Sequence, residues 1–425
     1  MRSIRFQFLI SFAVFGAWLP FYSEYLRATC GFSEFQIGTI FAAGSVGFLF
    51  TPVLVTFLAD ALLPARRLLS VLFTIAGAVC LGMYLIGDTN QYWPVLILFV
   101  VFNLAFAPVT PLNDGLFFND QQRRIASGLH GHAYHRVRVY GTIGFLLPNL
   151  ALFAMLHNGL SIDSILLVAA AMCLLGLLNS FVLPNLQPDK LANDDSHTDT
   201  NSSTDQDTNT QPPSDDRKLT RFPTKAAARA LLEPHVLTFC IALFLVQLAV
   251  APYYTFYPRY LREVAEIDVQ WLGLIACIGV TIEIFFILAF GRLSDRLGLK
   301  TLMVIGVLCM AVRLFLLGLV PTPFIAIASQ VFHGMWVLVV HVAPPLYLSK
   351  RATGTFRNSI LGLFAIVVYG SGRILGNLLG GYVAETSLNS LFIYSAVLCV
   401  LAAVLLIYAF KDENQQDSVT EQHAS

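Results

Sequence analysis

Charge is what this chain has least of: 12% of its 425 residues are Asp, Glu, Lys or Arg, against about 25% in an ordinary soluble domain. So few charges cannot keep in water a chain that is 56% hydrophobic, with a mean hydropathy of +0.69. A soluble fold is excluded, whereas a bilayer solvates apolar helix surfaces directly. The 26 basic residues are matched by 26 acidic ones, so no basic excess points to nucleic acid. Cysteine pairing is missing too. Cys30, Cys80, Cys173, Cys240, Cys277, Cys309 and Cys399 are scattered, mostly inside apolar runs, with no Cys-x-x-Cys and no His-Glu-x-x-His in the chain. That spacing supports neither a disulfide framework nor a metal centre, and the thiols read as small buried hydrophobes. Around Gly298-Leu299-Lys300-Thr301 the Gly-x4-Gly-Lys frame of a phosphate cradle is absent, which excludes an ATP-driven pump on this chain. No nucleophile–base spacing occurs, so neither enzyme activity nor a cofactor is expected.

What the chain has is long apolar runs. A membrane-spanning helix needs about 20 apolar residues, and twelve stretches qualify. The first six are 6–26, 36–58, 68–87, 93–118, 136–157 and 161–183; the second six are 235–258, 270–291, 301–320, 323–347, 359–382 and 390–410. Arg2 and Arg5 precede the first run, which lacks a small-residue cleavage site, so it is expected to be a span rather than a removable signal. Between the two sets, Asp189, Asp194, Asp195, Asp199, Asp205, Asp207, Asp215 and Asp216 sit among Ser, Thr, Asn, Gln and Pro. Such a segment has too little apolar area to offset its ordering entropy. The expected organisation is a six-helix bundle over 1–184, a disordered acidic and polar cytoplasmic linker over 185–233, a second six-helix bundle over 234–411, and a tail over 412–425.

Basic residues orient the bundle. With the N-terminus inside, only Arg27, Arg259 and Arg262 of the 26 Lys and Arg fall outside, and Arg313 and Arg373 lie within spans, leaving 21 on the cytoplasmic side. That asymmetry fits the positive-inside rule with both termini cytoplasmic, and it requires an even number of spans. The expected location is the inner (plasma) membrane.

The two halves echo each other. Leu58-Ala59-Asp60-Ala61, followed by Arg66-Arg67, ends the second span; Gly291-Arg292-Leu293-Ser294-Asp295-Arg296-Leu297-Gly298-Leu299-Lys300 ends the eighth. The fifth span carries Tyr140-Gly141-Thr142 and the eleventh Tyr369-Gly370-Ser371. Matching positions six helices apart are what two parallel repeats leave behind. With twelve spans and a long central linker, these loops resemble the major facilitator superfamily. Phe15-Gly16, Leu19-Pro20-Phe21-Tyr22, Pro111-Leu112-Asn113-Asp114, Tyr134-His135-Arg136-Val137-Arg138-Val139-Tyr140-Gly141, Ala311-Val312-Arg313 and Gln330-Val331-Phe332-His333 are similar to the branch holding phenylpropionate permeases, lactose permeases and nucleoside–proton symporters. Glu283 and His341 make the phenylpropionate-like pattern the best fit.

The resemblance implies an all-α integral membrane fold of two six-helix bundles, with a mid-membrane cavity opened alternately to each side. It implies a small-molecule cargo, a proton gradient as driving force and a monomer in the lipid bilayer, and it gives Asp60, Asp295 and Arg296 a gating role at the cytoplasmic faces.

Charges inside spans cost roughly 2.5–3.5 kcal/mol on insertion scales, so each is expected to have a partner or a task. Asp114 and Arg138 sit at matching depth on neighbouring antiparallel spans, in reach of a charge-assisted hydrogen bond. They are candidates for substrate contact, the alternative being a structural staple. Phe145, two turns beyond Arg138 on the same face, is a candidate stacking surface. Glu283 is the candidate proton carrier, since a carboxylate taken out of water holds its proton more tightly, with Arg313 as its counter-ion and His333 and His341 as relays. Gln330 shares a face with His333. Where lactose-permease-like sequences place an acid three residues after this histidine and a lysine three before it, this chain has Trp336 and Gln330. Any proton coupling must therefore run through Glu283 or Asp114. Arg373, within Gly370-Ser371-Gly372-Arg373, suits a carboxylate or else an ion pair with Glu283. Tyr253, Tyr254 and Tyr257 form a binding wall or an interfacial aromatic belt, with Tyr254 and Gln330 taken as substrate contacts. Glu24 and Glu385 are expected in water.

The leading expectation is a proton symporter for an aromatic acid, a sugar or a nucleoside. A proton-coupled exporter and a transporter-like sensor without net transport are the alternatives.

Overall fold

The structure, a computed structural model, describes residues 1–87, 90–131, 134–185, 223–351 and 357–409. Most of the expected linker and the whole 412–425 tail lie outside these, as do the side chains of Asp60 and His341.

All regular structure among the described residues is helical. The first span consists of α1 (Arg2–Trp18) and α2 (Tyr22–Ala28), interrupted at Pro20, which has no N–H to donate. The second is α3 (Glu34–Ser45) and α4 (Gly47–Ala61); Ser33 starts it with a reciprocal capping box to Gln36. Then come α5 (Ala65–Ile86), α6 (Tyr92–Phe106) with α7 (Val109–Ala126), α8 (Tyr134–His157) and α9 (Ser164–Ser180). Beyond the linker stand α10 (Pro223–Leu231), α11 (Pro234–Glu263) and α12 (Leu272–Leu319). The tenth span is built from α13 (Pro323–Ala328), α14 (His333–Val337) and α15 (Ala343–Arg351), the eleventh from α16 (Arg357–Phe364) and α17 (Ser371–Thr386), the last from α18 (Leu388–Ala409).

Ten of the described helical stretches are long and apolar enough to cross a bilayer. Two further spans complete the expected twelve. Residues 269–319, counted once among the ten, hold two spans and so supply one of these, because Gly298 adopts φ 74° and ψ 155°, a backbone open to glycine, and turns the chain within the Gly-x-Leu-Ser-Asp-Arg loop. Ser164–Ser180 is the other, an apolar helix of 17 residues.

One boundary differs from expectation. Residues 223–231, assigned to the linker, form α10, which docks on α16 and buries Ala227 and Leu231. The run Ala226-Ala227-Ala228 supplies the helix propensity that the acidic stretch before it lacks.

Within the first half α1 packs on α8 and α9, and α5 on α6 and α9; within the second, α11 packs on α17 and α18, and α12 on α14 and α18. The halves touch along α3–α17, α8–α12 and α2–α11. These contacts gather at one end. A Cβ on Gly38 would lie 2.5 Å from the Asn377 carbonyl oxygen and 2.8 Å from Gly381 Cα, so the two backbones are pressed together there. Phe153 and Trp271 meet ring to ring at 4.9 Å, closing the α8–α12 side of the same end.

Two π-helical turns interrupt the tenth and eleventh spans, at Leu338–Val342 and Ala365–Gly370. They are tied together by Tyr369, whose hydroxyl donates to the Val340 carbonyl. Single π turns inside helices are common at functional sites.

Candidate functional site

The charged groups inside the spans collect between the halves, but their pairing differs from the sequence expectation. Asp114, on α7, accepts a hydrogen bond from the Tyr134 hydroxyl at 2.7 Å, not from Arg138. Arg138, on α8, instead lays its guanidinium over the Phe12 ring, 4.0 Å from the centroid, while its charge still acts on both Asp114 and Tyr134. Gly141 makes that posture possible. A Cβ there would come within 2.8 Å of both Arg138 Nη1 and Phe12 Cδ2. So the expected neighbourhood is present, with Tyr134 interposed. Phe145 is buried, its carbonyl capped by Asn149 Nδ2 at 2.7 Å and pressed against Gly16.

Glu283, half-buried on α12, makes no ion pair among the described residues. The charge that acts on it is Arg138, from the opposite half. Arg313, its expected counter-ion, is engaged elsewhere. Its side chain is fully buried, 4.6 Å from the Tyr253 ring centroid and 5.5 Å from that of Tyr257, and Nη1 lies 3.3 Å from His333 Nδ1. A guanidinium has only donors, so in this contact Nδ1 accepts and the imidazole is neutral with its proton on Nε2. Aromatic faces, rather than an acid, compensate the cation. Arg313 Nε and Nη2 have no hydrogen-bond partner among the described residues.

Gln330 is buried and built into the wall: Nε2 donates to the Tyr257 hydroxyl at 3.0 Å, and Tyr257 in turn donates to the Ala326 carbonyl at 2.7 Å. Gly279 leaves the room its amide oxygen needs. Tyr254 is more central. Its ring meets His333 edge-on at 5.9 Å and Trp336 at 6.5 Å. Trp336, which replaces an expected acid, is therefore part of this aromatic wall. Arg373 is exposed on α17, stands 4.8 Å over the Phe48 ring of the first half, and has no acid within ion-pair distance among the described residues; the alternative pairing with Glu283 is not made.

Asp295 and Arg296 are exposed at the turn inside α12, making no ion pair with each other. His341 falls on the first π turn.

Sequence reasoning missed a second cluster, at the end where the halves touch. Arg259, 1% exposed, donates to Glu24 at 3.1 Å and to Glu34 at 2.6 Å, and also pairs with Glu263. Arg262 reaches Glu24 at 3.6 Å and Arg27 reaches Glu34 at 4.0 Å. Glu24, expected in water, is buried in this network, because closure of the end removes its solvent. Glu385 is exposed as expected and accepts the Phe35 N–H at 2.8 Å. No motif marks the cluster; the signal was that Arg27, Arg259 and Arg262 are the few basic residues at that end.

Comparison with known proteins follows the same lines. The model of the MFS_1 like family matches residues 1–396. The putative nucleoside transporter YegT of Escherichia coli (strain K12) is 25% identical, covering 97% of this chain and 94% of its own length. The probable 3-phenylpropionic acid transporter of the same organism is 24% identical, covering 95% and 96%. The crystal structure of the nucleoside transporter NupG superposes with a TM-score of 0.78 at 20% identity, over 97% of this chain and 99% of that one. At that identity the superposition speaks for the fold, an all-α membrane architecture of two six-helix bundles.

Proposed function

The chain belongs to the MFS_1 like family, a membrane transporter of small solutes rather than an enzyme, and from that premise we propose that it is a proton symporter working by alternating access. Its cargo belongs to the aromatic acids, sugars or nucleosides. The names of its relatives, nucleoside and 3-phenylpropionic acid transporters, fall within that range.

The observation that carries the reading is the placement of Arg138 and Glu283. They lie on α8 and α12, which pack on each other across the two halves, and neither makes an ion pair among the described residues. Groups so placed change their separation whenever one half rocks against the other. A cation whose distance to a carboxylate varies with conformation drives the proton on and off that carboxylate. Glu283 is the carrier in this scheme; Arg138, Asp114 and Tyr254 face the cargo. The neutral imidazole of His333 and the cation of Arg313 hold the aromatic wall behind them. Phe145 and Gln330 are further cargo contacts, and His341, on the first π turn, is a further relay in this scheme.

Basic-residue asymmetry puts both termini in the cytoplasm, so the end sealed by Gly38, Gly381 and Arg259 is the outer one. In this state the cleft faces inward. Asp295 and Arg296, exposed at the turn inside α12, are the gating residues in this reading, with Asp60 at the corresponding loop of the first half. The unit is a monomer in the inner membrane, with the acidic segment as a spacer between bundles.

Uptake into proteoliposomes, with and without an imposed inward pH gradient, tests the reading over aromatic acids, sugars and nucleosides. Accumulation above equilibrium that collapses when the gradient is discharged is expected. Uptake indifferent to the gradient would sink proton coupling.

A further inference from the structure

The interior of the transporter carries an uneven charge. Away from the sealed end and the cytoplasmic rim, the cations inside the spans among the described residues are Arg138, Arg313 and Arg373, and the acids are Asp114 and Glu283. Arg313 is enclosed by Tyr253, Tyr257 and His333, Arg138 acts on both acids from its seat on Phe12, and Asp114 is held by Tyr134. Arg373 is left over.

Its surroundings show where it points. Phe48 of the first half lies 4.8 Å from its guanidinium carbon. It therefore reaches from the second half to the first. A guanidinium resting on a ring keeps its in-plane N–H groups free, and that edge matches a carboxylate in bidentate geometry. The small residues around it, Gly370 and Gly372, pack against Leu49 and Gln247 respectively, so the span can approach both halves there. An unpaired cation at this depth is costly to insert, and a counter-charge that arrives with the cargo offsets that cost.

We infer that the cargo is a small organic anion, a carboxylate borne on an aromatic or heteroaromatic ring, and that Arg373 is the residue that selects the negative charge. The ring is received by Tyr254 and Trp336, whose rings stand 6.5 Å apart on the second half. One proton carried on Glu283 with one monoanion moves no net charge. The inference rests on the transport reading above, but it is tested in binding, which does not require turnover.

The experiment uses the purified full-length chain in detergent and two matched pairs of probes: uridine against orotidine, which differ by a carboxylate, and 3-phenylpropan-1-ol against 3-phenylpropionate. Dissociation constants are measured by calorimetry for the wild type, Arg373→Gln and Arg373→Lys, each checked for a monodisperse profile and unchanged helical circular dichroism. In the wild type the anionic member of at least one pair should bind roughly ten- to hundredfold more tightly than its neutral partner, as expected for hydrogen bonds to a charged group. Arg373→Gln should erase the preference, and Arg373→Lys, which keeps the charge but not the fork, should retain part of it. Anion preference without net transport would overturn the symport reading and leave this one standing. Neutral members binding as tightly as the anions, or a preference unchanged in Arg373→Gln, would overturn the inference.

Discussion

Arg259 and Glu34 lie 225 positions apart, yet Nη2 of the first donates to Oε1 of the second at 2.6 Å, joining the end of the seventh span to the start of the second. The same guanidinium bonds Glu24 of the first span through Nη1. One side chain therefore fastens both outer helices of the first half to the second. The pair is almost without solvent in this state and becomes exposed in any state where the outer end parts, so its energy depends on conformation. Buried pairs of this kind gain little over apolar packing, but removing one partner is costly.

Arg259→Ala should therefore favour the outward-facing state, since it leaves Glu24 and Glu34 in the closed end with only the longer contacts to Arg262 and Arg27, and losing one partner of a buried pair costs about 3–5 kcal/mol. Asn377→Cys, placed under the seam in a cysteine-free background, reports this as faster alkylation by a membrane-impermeant thiol reagent. Glu263→Gln removes only the half-exposed partner and should change labelling little, as surface pairs contribute about 0–1 kcal/mol. Equal labelling in wild type and Arg259→Ala would mean the network does not hold the end shut.

Gly38→Ala should act on the same equilibrium by a steric route. The added methyl meets the Asn377 carbonyl and Gly381 Cα, both backbone atoms that cannot rotate away. Overpacking of this kind costs about 1–3 kcal/mol, charged here only to the closed outer end. Initial uptake rate should fall roughly tenfold or more, while Gly362→Ala, with open space around its new methyl, stays near wild type.

Tyr134→Phe tests whether Tyr134 keeps Asp114 away from Arg138. Without the hydroxyl, Asp114 is free to take the guanidinium, in competition with cargo. A hydrogen bond to a charged group contributes about 1.5–3 kcal/mol, so the apparent KM should rise several-fold with the maximal exchange rate less affected. An unchanged KM would show that Asp114 does not compete for Arg138.

These cases also mark what the sequence discloses. Spans are legible because crossing the bilayer imposes one length and one composition on each, and the turn at Gly298 is legible because its loop motif needs a residue that tolerates positive φ. Rise per residue fixes depth, so the sequence places Asp114 and Arg138 in one neighbourhood. It could not decide which donor Asp114 takes, because Phe12 and Gly141, which draw the guanidinium aside, act through shape alone. For Arg313 the expectation of an acidic partner failed on similar grounds: two tyrosine faces and a neutral histidine do the compensating, and aromatic residues are too frequent in spans to signal it. The Glu24–Arg259–Glu34 cluster was hidden because its members come from three spans and no local pattern joins them.

Glu283→Gln separates coupling from translocation. In the scheme above the carboxylate must gain a proton on one side and lose it on the other, and an amide can do neither. It keeps nearly the same volume and one acceptor oxygen, and no ion pair of Glu283 exists to be broken among the described residues. Folding and cargo binding should thus survive. The variant is locked in the equivalent of the protonated state, which is the state that crosses loaded, so labelled cargo should still exchange against unlabelled cargo across the membrane at a rate within a few-fold of wild type. Accumulation driven by an inward pH gradient should vanish, because no step now depends on proton concentration. Gradient-driven accumulation at the wild-type level would remove Glu283 as carrier and shift the burden to Asp114, where Asp114→Asn should then show the same split between exchange and accumulation.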